Sequence, residues 1–257
     1  MDGRWVFLDR VHRSSPRTVV WTGLPRDAQC ERIGWTMTAR SGDARPRGSS
    51  STAWAQWRAA YESRRYWELP WFDPGPSPQV REAVRRGFWS AGSAVLDVGC
   101  GAGSNVLFLA RKGFEVHGID LSPGAVRAAN ERATKAHLPV DVREGDGLAI
   151  PFSRGRFSGA MDNGCFHTIP IGRRADYARE VARVVRPGGG FLLAWVAREY
   201  VDPRGPPHRP SVEEVARSLE RHFLFTRTEF RPASEANGLP AYVAWLVRRK
   251  SPQPAPR

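Results

Sequence analysis

The run Ala94-Val-Leu-Asp-Val-Gly-Cys-Gly-Ala-Gly-Ser104 constrains this chain more than any other stretch. Val95, Leu96 and Val98 have the near-continuous apolar pattern of a buried strand, and they lead straight into Gly99, Gly101 and Gly103. A helical pattern begins at Ser104. Strand, glycine turn and helix start, in that order, hold a nucleotide-like ligand in an α/β sheet. Glycine suits the turn because no Cβ keeps the backbone from the ligand. Asp97 stands two places before the first glycine.

Around this run the pattern alternates. Strands are predicted over 94–98, 115–119, 140–144, 157–162, 191–197, 223–231 and 241–249. Helices are predicted over 78–89, 104–112, 123–136, 172–185 and 211–221. Ser77-Pro78 reads as an N-cap and first helical residue, Gly113 as a helix stop, and Arg186-Pro-Gly-Gly-Gly190 as a turn before a strand. Repeated βα units predict a Rossmann-like, doubly wound α/β fold with a seven-stranded, mostly parallel sheet. The turn-prone connection Ser234–Pro240 is too short for a crossover, so the last two strands are expected to pair as an antiparallel hairpin at one edge.

Residues 1–52 are rich in Arg, Ser, Gly and Thr and lack apolar periodicity; they read as a poorly ordered extension. The Pro-rich stretch 251–257 reads as a flexible tail, and 53–250 as the folded domain. Within it, 53–77 is an aromatic lead-in: Trp54, Trp57 and Tyr61 at helical spacing, then Trp67 and Trp71, then the prolines of 70–78. Packing against the core is the plain alternative for the first three. No stretch approaches the roughly 20 apolar residues that span a bilayer, and the N-terminus has no signal-peptide pattern. The expectation is a cytoplasmic protein without a membrane partner, a monomer or weak homodimer.

Cys30, Cys100 and Cys165 are an odd count without CxxC spacing, which argues against a disulfide framework or a structural zinc, so no metal is expected. The formal charge of +13 raises nucleic acid as a partner. However, 36 of the 39 basic residues are arginine and they are scattered, which fits codon bias better than a phosphate-binding face.

The glycine turn alone fits several nucleotides. A dinucleotide fingerprint counted from Gly99 requires glycine where Ser104 stands, and no Gly-Lys-Ser/Thr of a phosphate loop occurs. Instead, Asp120 stands at the end of the second strand and Asp146 just after the third. This succession resembles the class I S-adenosylmethionine-dependent methyltransferases. The matching segments are Leu96–Gly103, Gly118-Ile-Asp-Leu-Ser-Pro123, Glu144-Gly-Asp-Gly-Leu148, Phe157-Ser-Gly-Ala-Met-Asp162 and Arg186–Gly190, within residues 78–249.

The resemblance implies S-adenosyl-L-methionine as cofactor. Gly99, Cys100, Gly101 and Gly103 would pass under its amino-acid end, with Asp97 orienting the ammonium. Asp120, followed by Leu121, would accept both ribose hydroxyls, since a carboxylate accepts two hydrogen bonds side by side. Asp146 would accept from the adenine amine, with Gly147 and Leu148 beside the ring.

The fourth strand ends Asp162-Asn-Gly-Cys-Phe-His-Thr-Ile169, without the Asn/Asp-Pro-Pro-Tyr/Phe of nucleic-acid amino methyltransferases. That favours a small-molecule acceptor over a nucleic acid. His167 has a suitable intrinsic pKa for a base, with a backbone-bonded structural histidine as the plain alternative. Asp162 is expected to touch cofactor or position substrate. Tyr177 and Trp195 are expected mainly to pack.

The lead-in Pro70-Trp-Phe-Asp-Pro-Gly-Pro-Ser-Pro78 resembles that of small-molecule methyltransferases in the thiopurine, thiol and halide branch. There it covers the cofactor, which implies places for Trp67, Trp71 and Asp73 near the site. This chain departs by inserting Phe72 between Trp71 and Asp73. The expectation is methyl transfer to sulfur or oxygen of a small molecule. RNA methylation and non-catalytic cofactor binding stand as alternatives.

Overall fold

The computed structural model describes residues 51–198, 209–232 and 239–251. The expectations for 1–50, for the turn residues 234–238 and for the tail at 252–257 lie outside the described residues, as does the side chain of Trp54.

Seven strands form one sheet: β1 Ala94–Val98, β2 Glu115–Asp120, β3 Val140–Glu144, β4 Phe157–Asn163, β5 Val185–Val196, β6 Phe223–Arg231 and β7 Ala241–Arg248. Their order is β3-β2-β1-β4-β5-β7-β6. β1 to β5 pair in parallel, while β7 is antiparallel to both β5 and β6. The α-helices are α1 Ser51–Ser63, α2 Pro78–Arg85, α3 Ser104–Arg111, α4 Pro123–Lys135, α5 Arg174–Val184 and α6 Val212–Leu219. This is the Rossmann-like architecture that the alternating pattern implies.

Strand residues alternate between two cores. Leu96 and Val98 join Phe157, Tyr177, Val181 and Phe191 on one face. Val95 joins Val106, Leu109, Ala129, Met161 and Trp245 on the other. Burial on both faces is why β1 reads as apolar without interruption.

Two boundaries differ from the sequence reading by more than two residues, and one cap differs in kind. α2 stops at Arg85, not 89, because Gly87 turns the chain at φ +65°. Trp89 then leaves the helix direction and buries, its Nε1 donating to the Gly190 carbonyl at 3.2 Å. β5 begins at Val185, so Arg186–Gly190 lies inside the strand's span instead of before it. The register slips there because Val185 pairs with Phe157 while Gly190 pairs with Gly159. Ser77 caps α2 without a side-chain bond; its backbone N–H donates to Asn105 Oδ1 at 2.9 Å.

Gly159 shows how tightly the second core closes. A Cβ there would lie 2.1 Å from Trp89 Cδ1 and 2.9 Å from the Gly190 oxygen. Replacing Gly159 with alanine is therefore expected to cost about 3 kcal/mol, read as a lower urea midpoint. An unchanged midpoint would mean that Trp89 repacks freely.

Candidate cofactor and acceptor site

In an open α/β sheet, ligands bind beyond the carboxyl ends of the strands, where the strand order reverses. Here that point is between β1 and β4. The ends of β1, β2 and β4 carry Gly99–Gly103 with Asp97, then Asp120, then Asp162, and Asp146 comes just after β3.

The glycine turn is folded back on β2. Gly99 N and Cys100 N both donate to the Ile119 carbonyl, at 2.8 and 3.0 Å. Gly99 has φ +73° and no room for a side chain: a Cβ would lie 2.5 Å from Cys165 Cβ. At Gly103 (φ +79°) a Cβ would meet Ala129 at 2.9 Å, which brings α3 close to α4. The Cys100 sulfur packs at Gly118 within the α3-side core, so its side chain is a packing group.

The acidic side chains differ in their partners. Asp120 accepts from Gly101 N through Oδ2 and from Ser122 N through Oδ1, both at 2.9 Å. Burial still holds its carboxyl above the ordinary range. Asp162 accepts from Tyr177 Oη at 2.5 Å and Cys165 N at 2.8 Å. Burial pushes its carboxyl up to about 6, against the pull of these donors.

Asp97 is only 2% exposed, and no described residue donates a hydrogen bond to its carboxylate. Burial, then the charges of Asp162 and Asp120, push it well above the usual carboxylate value. Three acids crowded in low dielectric favour a cationic ligand, which would relieve their repulsion. Asp97 without a donor therefore fits a ligand carrying an ammonium group, as S-adenosylmethionine does.

Asp146 is engaged locally: its Oδ1 accepts from Leu148 N at 2.8 Å. Gly147 faces Tyr177, whose Cε2 would stand 3.0 Å from a Cβ there. The Leu121 carbonyl accepts from Arg58 Nε at 3.0 Å, tying α1 to the tip of β2.

His167 lies on a short 3-10 turn, Phe166–Thr168, and is 7% exposed. Its Nδ1 accepts from Val196 N at 3.4 Å, which assigns the ring proton of the neutral tautomer to Nε2. Taking a proton at Nδ1 would require giving up that bond. Trp71 is 42% exposed; its Nε1 donates to Tyr61 Oη at 3.2 Å, and its ring meets Trp57 edge-on at 5.0 Å. Trp195 packs in the core and donates to the Pro210 carbonyl at 3.0 Å.

Two side chains matter more than their sequence context suggests. The Tyr61 hydroxyl stands over the glycine turn, 2.8 Å from where a Gly101 Cβ would be. Tyr177, on α5, braces Asp162 and sits against Gly147. The helical spacing of Trp57 and Tyr61 was the available signal for the first. Nothing local to Tyr177 indicates Asp162 as its partner. Among the described residues no cluster of three or more His, Cys, Asp and Glu side chains is placed to hold a metal ion, and no helix is long and apolar enough to cross a membrane.

Residues 95–189 match the family model of a methyltransferase domain. A curated relative, the 2-heptyl-1-hydroxyquinolin-4(1H)-one methyltransferase of Mycobacteroides abscessus, is 27% identical over 172 residues, 66% of this chain and 74% of the relative. The 2-methyl-6-phytyl-1,4-hydroquinone methyltransferase of a Synechocystis species is 31% identical over 60% of this chain; the chain spans only about half of that relative (52%). A protein solved in connection with the conversion of a disulfide bond into a thioacetal group during echinomycin biosynthesis superposes with a TM-score of 0.66. It is 23% identical and covers 76% of this chain and 91% of its own, a likeness of fold.

Proposed function

We propose that the chain is a class I S-adenosylmethionine-dependent methyltransferase that methylates an oxygen or sulfur atom of a small, ring-bearing molecule. The observation that carries this reading is the donor-free, buried Asp97 beside Asp120 and Asp162 at the glycine turn. When bound, S-adenosylmethionine supplies a methyl group already activated by its sulfonium.

The chain's own residues do the rest. Asp97 holds the ammonium, Asp120 the ribose hydroxyls, and Asp146 with Gly147 and Leu148 the adenine edge. Gly99 to Gly103 allow close approach of the backbone. Trp71 and Tyr61 exclude water from above the turn, and an aromatic wall also attracts a sulfonium. Asp162, braced by Tyr177, fixes the rim of β4 against cofactor or acceptor.

The acceptor reading rests on two supports. The curated relatives are named for a hydroxyquinolinone and a hydroquinone, both hydroxylated rings. The lead-in 70–78 resembles the thiopurine, thiol and halide branch, which extends the candidates to thiols. A phenol needs a proton removed; a thiolate does not. His167 is the base for a hydroxyl acceptor, once Nδ1 leaves Val196 N.

Calorimetry with S-adenosylhomocysteine, with NAD as control, tests the cofactor; binding of NAD alone overturns it. For the acceptor, His167→Ala is expected to lower kcat on a panel of phenols by about 100-fold while leaving thiols nearly unaffected. Equal loss on both panels removes His167 from the chemistry. Strongly salt-dependent binding to RNA together with no turnover of small molecules would replace the small-molecule reading.

A further inference from the structure

We propose that Arg132 and Phe72 form a clamp that holds residues 71–77 on the glycine turn and so sets how long the cofactor stays bound; this rests on the cofactor reading of Gly99–Gly103 above. Arg132 projects from the last turn of α4. Its Nη1 donates to the Ala102 carbonyl at 2.5 Å, inside the turn, and to Ser104 Oγ at 3.0 Å. Its Nη2 donates to the Pro74 carbonyl at 3.4 Å, in the segment that crosses the turn. Ser104 Oγ passes the connection on, donating to the Asp73 carbonyl at 2.5 Å.

The same guanidinium also lies over two aromatic rings. Its central carbon lies 5.1 Å from the Phe72 ring centre and 5.6 Å from that of Tyr66. Those two rings meet edge-to-face at 5.0 Å. One side chain thus touches the turn, the start of α3 and the crossing segment together. A guanidinium, with donors spread over three nitrogens, can reach all these acceptors and both rings at once; the single ammonium nitrogen of lysine cannot.

Phe72 is the residue by which this sequence departs from the lead-in pattern it otherwise resembles. Its ring gives Arg132 a stacking surface. Its position also fixes its neighbour Trp71, whose indole reaches the Tyr61 hydroxyl above Gly101. Undoing the clamp frees the segment to lift from the turn, which opens the route by which a ligand leaves. The effect therefore falls on dissociation more than on association.

The test is stopped-flow release of S-adenosylhomocysteine followed by tryptophan fluorescence, with calorimetry for the equilibrium constant. Arg132→Met and Phe72→Leu are each expected to speed release by about tenfold or more, with association changed by less than about threefold. Arg132→Lys should behave like Arg132→Met. The double variant should release little faster than Arg132→Met alone, because the two residues act as a unit. Phe72→Leu keeps the test intact if the arginine variants do not fold. A lowered thermal midpoint with wild-type release rates would make both residues structural only and overturn the clamp. If wild-type protein binds no S-adenosylhomocysteine, the cofactor reading fails and takes the clamp with it.

Discussion

Asp120→Ala is expected to weaken S-adenosylhomocysteine binding by about 100-fold or more. The size comes from two losses at one position. In the proposed cofactor site the Asp120 carboxylate would offer two oxygens to the ribose hydroxyls, and hydrogen bonds to a charged group contribute about 1.5–3 kcal/mol each. The same oxygens already accept from Gly101 N and Ser122 N at 2.9 Å, so they anchor the glycine turn to the start of α4. Alanine removes the ligand contacts and leaves both backbone donors without this partner. Asp120→Asn keeps one acceptor oxygen but turns an amide N–H₂ toward one of the two donors, so it should fall between wild type and alanine. Calorimetry at pH 7.5 reads the affinity and a thermal melt separates it from unfolding. Affinity within about threefold of wild type for the alanine variant would remove Asp120 from the cofactor site.

The second large effect is on pH. Asp97, Asp120 and Asp162 all have carboxyl groups raised by burial, Asp162 to about 6. A bound ammonium or sulfonium favours their ionised forms, so binding releases protons wherever the free protein still holds them. Cofactor affinity should therefore rise with pH, and be about tenfold weaker at pH 5 than at pH 7.5 if one proton is released. Calorimetry in buffers of different ionisation heat counts that proton directly.

Folding stability should run the opposite way. The Asp162 carboxyl titrates at about 6 in the folded protein against 3.8 as a model group. A group raised in this way stabilises fully below the unfolded value and loses that contribution as pH climbs through the folded one. The loss from Asp162, rising from 3.8 to about 6, is about 3 kcal/mol. The thermal midpoint of ligand-free protein should thus fall between pH 4.5 and pH 7, and Asp162→Asn should flatten that slope. A wild-type slope that Asp162→Asn leaves unchanged would show that Asp162 does not titrate in this window.

Much of this was legible in the sequence, for a local reason. The strand edges of β1, β3 and β6 and the pairing of β6 with β7 come from apolar runs, glycine stops and one short connection. The acids at 97, 120 and 162 fall at the ends of predicted strands, and Asp146 falls just after one. The parts that escaped were set by contacts between residues far apart. Arg132 reaches Pro74 across 58 positions, and Trp89 reaches Gly190 across 101. Neither pair leaves a periodic trace. The slip in β5 is the same case: Arg186–Gly190 reads locally as a turn, and only pairing with β4 draws it into the strand. His167 shows a different limit. Its residue type suggests a base, while its tautomer depends on the Val196 N–H at the end of β5.

The place of β7 bears on how the molecule is made. It is the last of the seven strands in chain order, yet it lies inside the sheet, between β5 and β6. Val243, Ala244 and Leu246 are fully buried there. While the chain is being synthesised, β5 offers an unpaired apolar edge until residues 241–248 leave the ribosome. An edge of that kind recruits other strands. Completion of the sheet is therefore tied to completion of β7, and a ribosome that stalls a few codons short of it releases a sticky fragment with its cofactor motifs already in place.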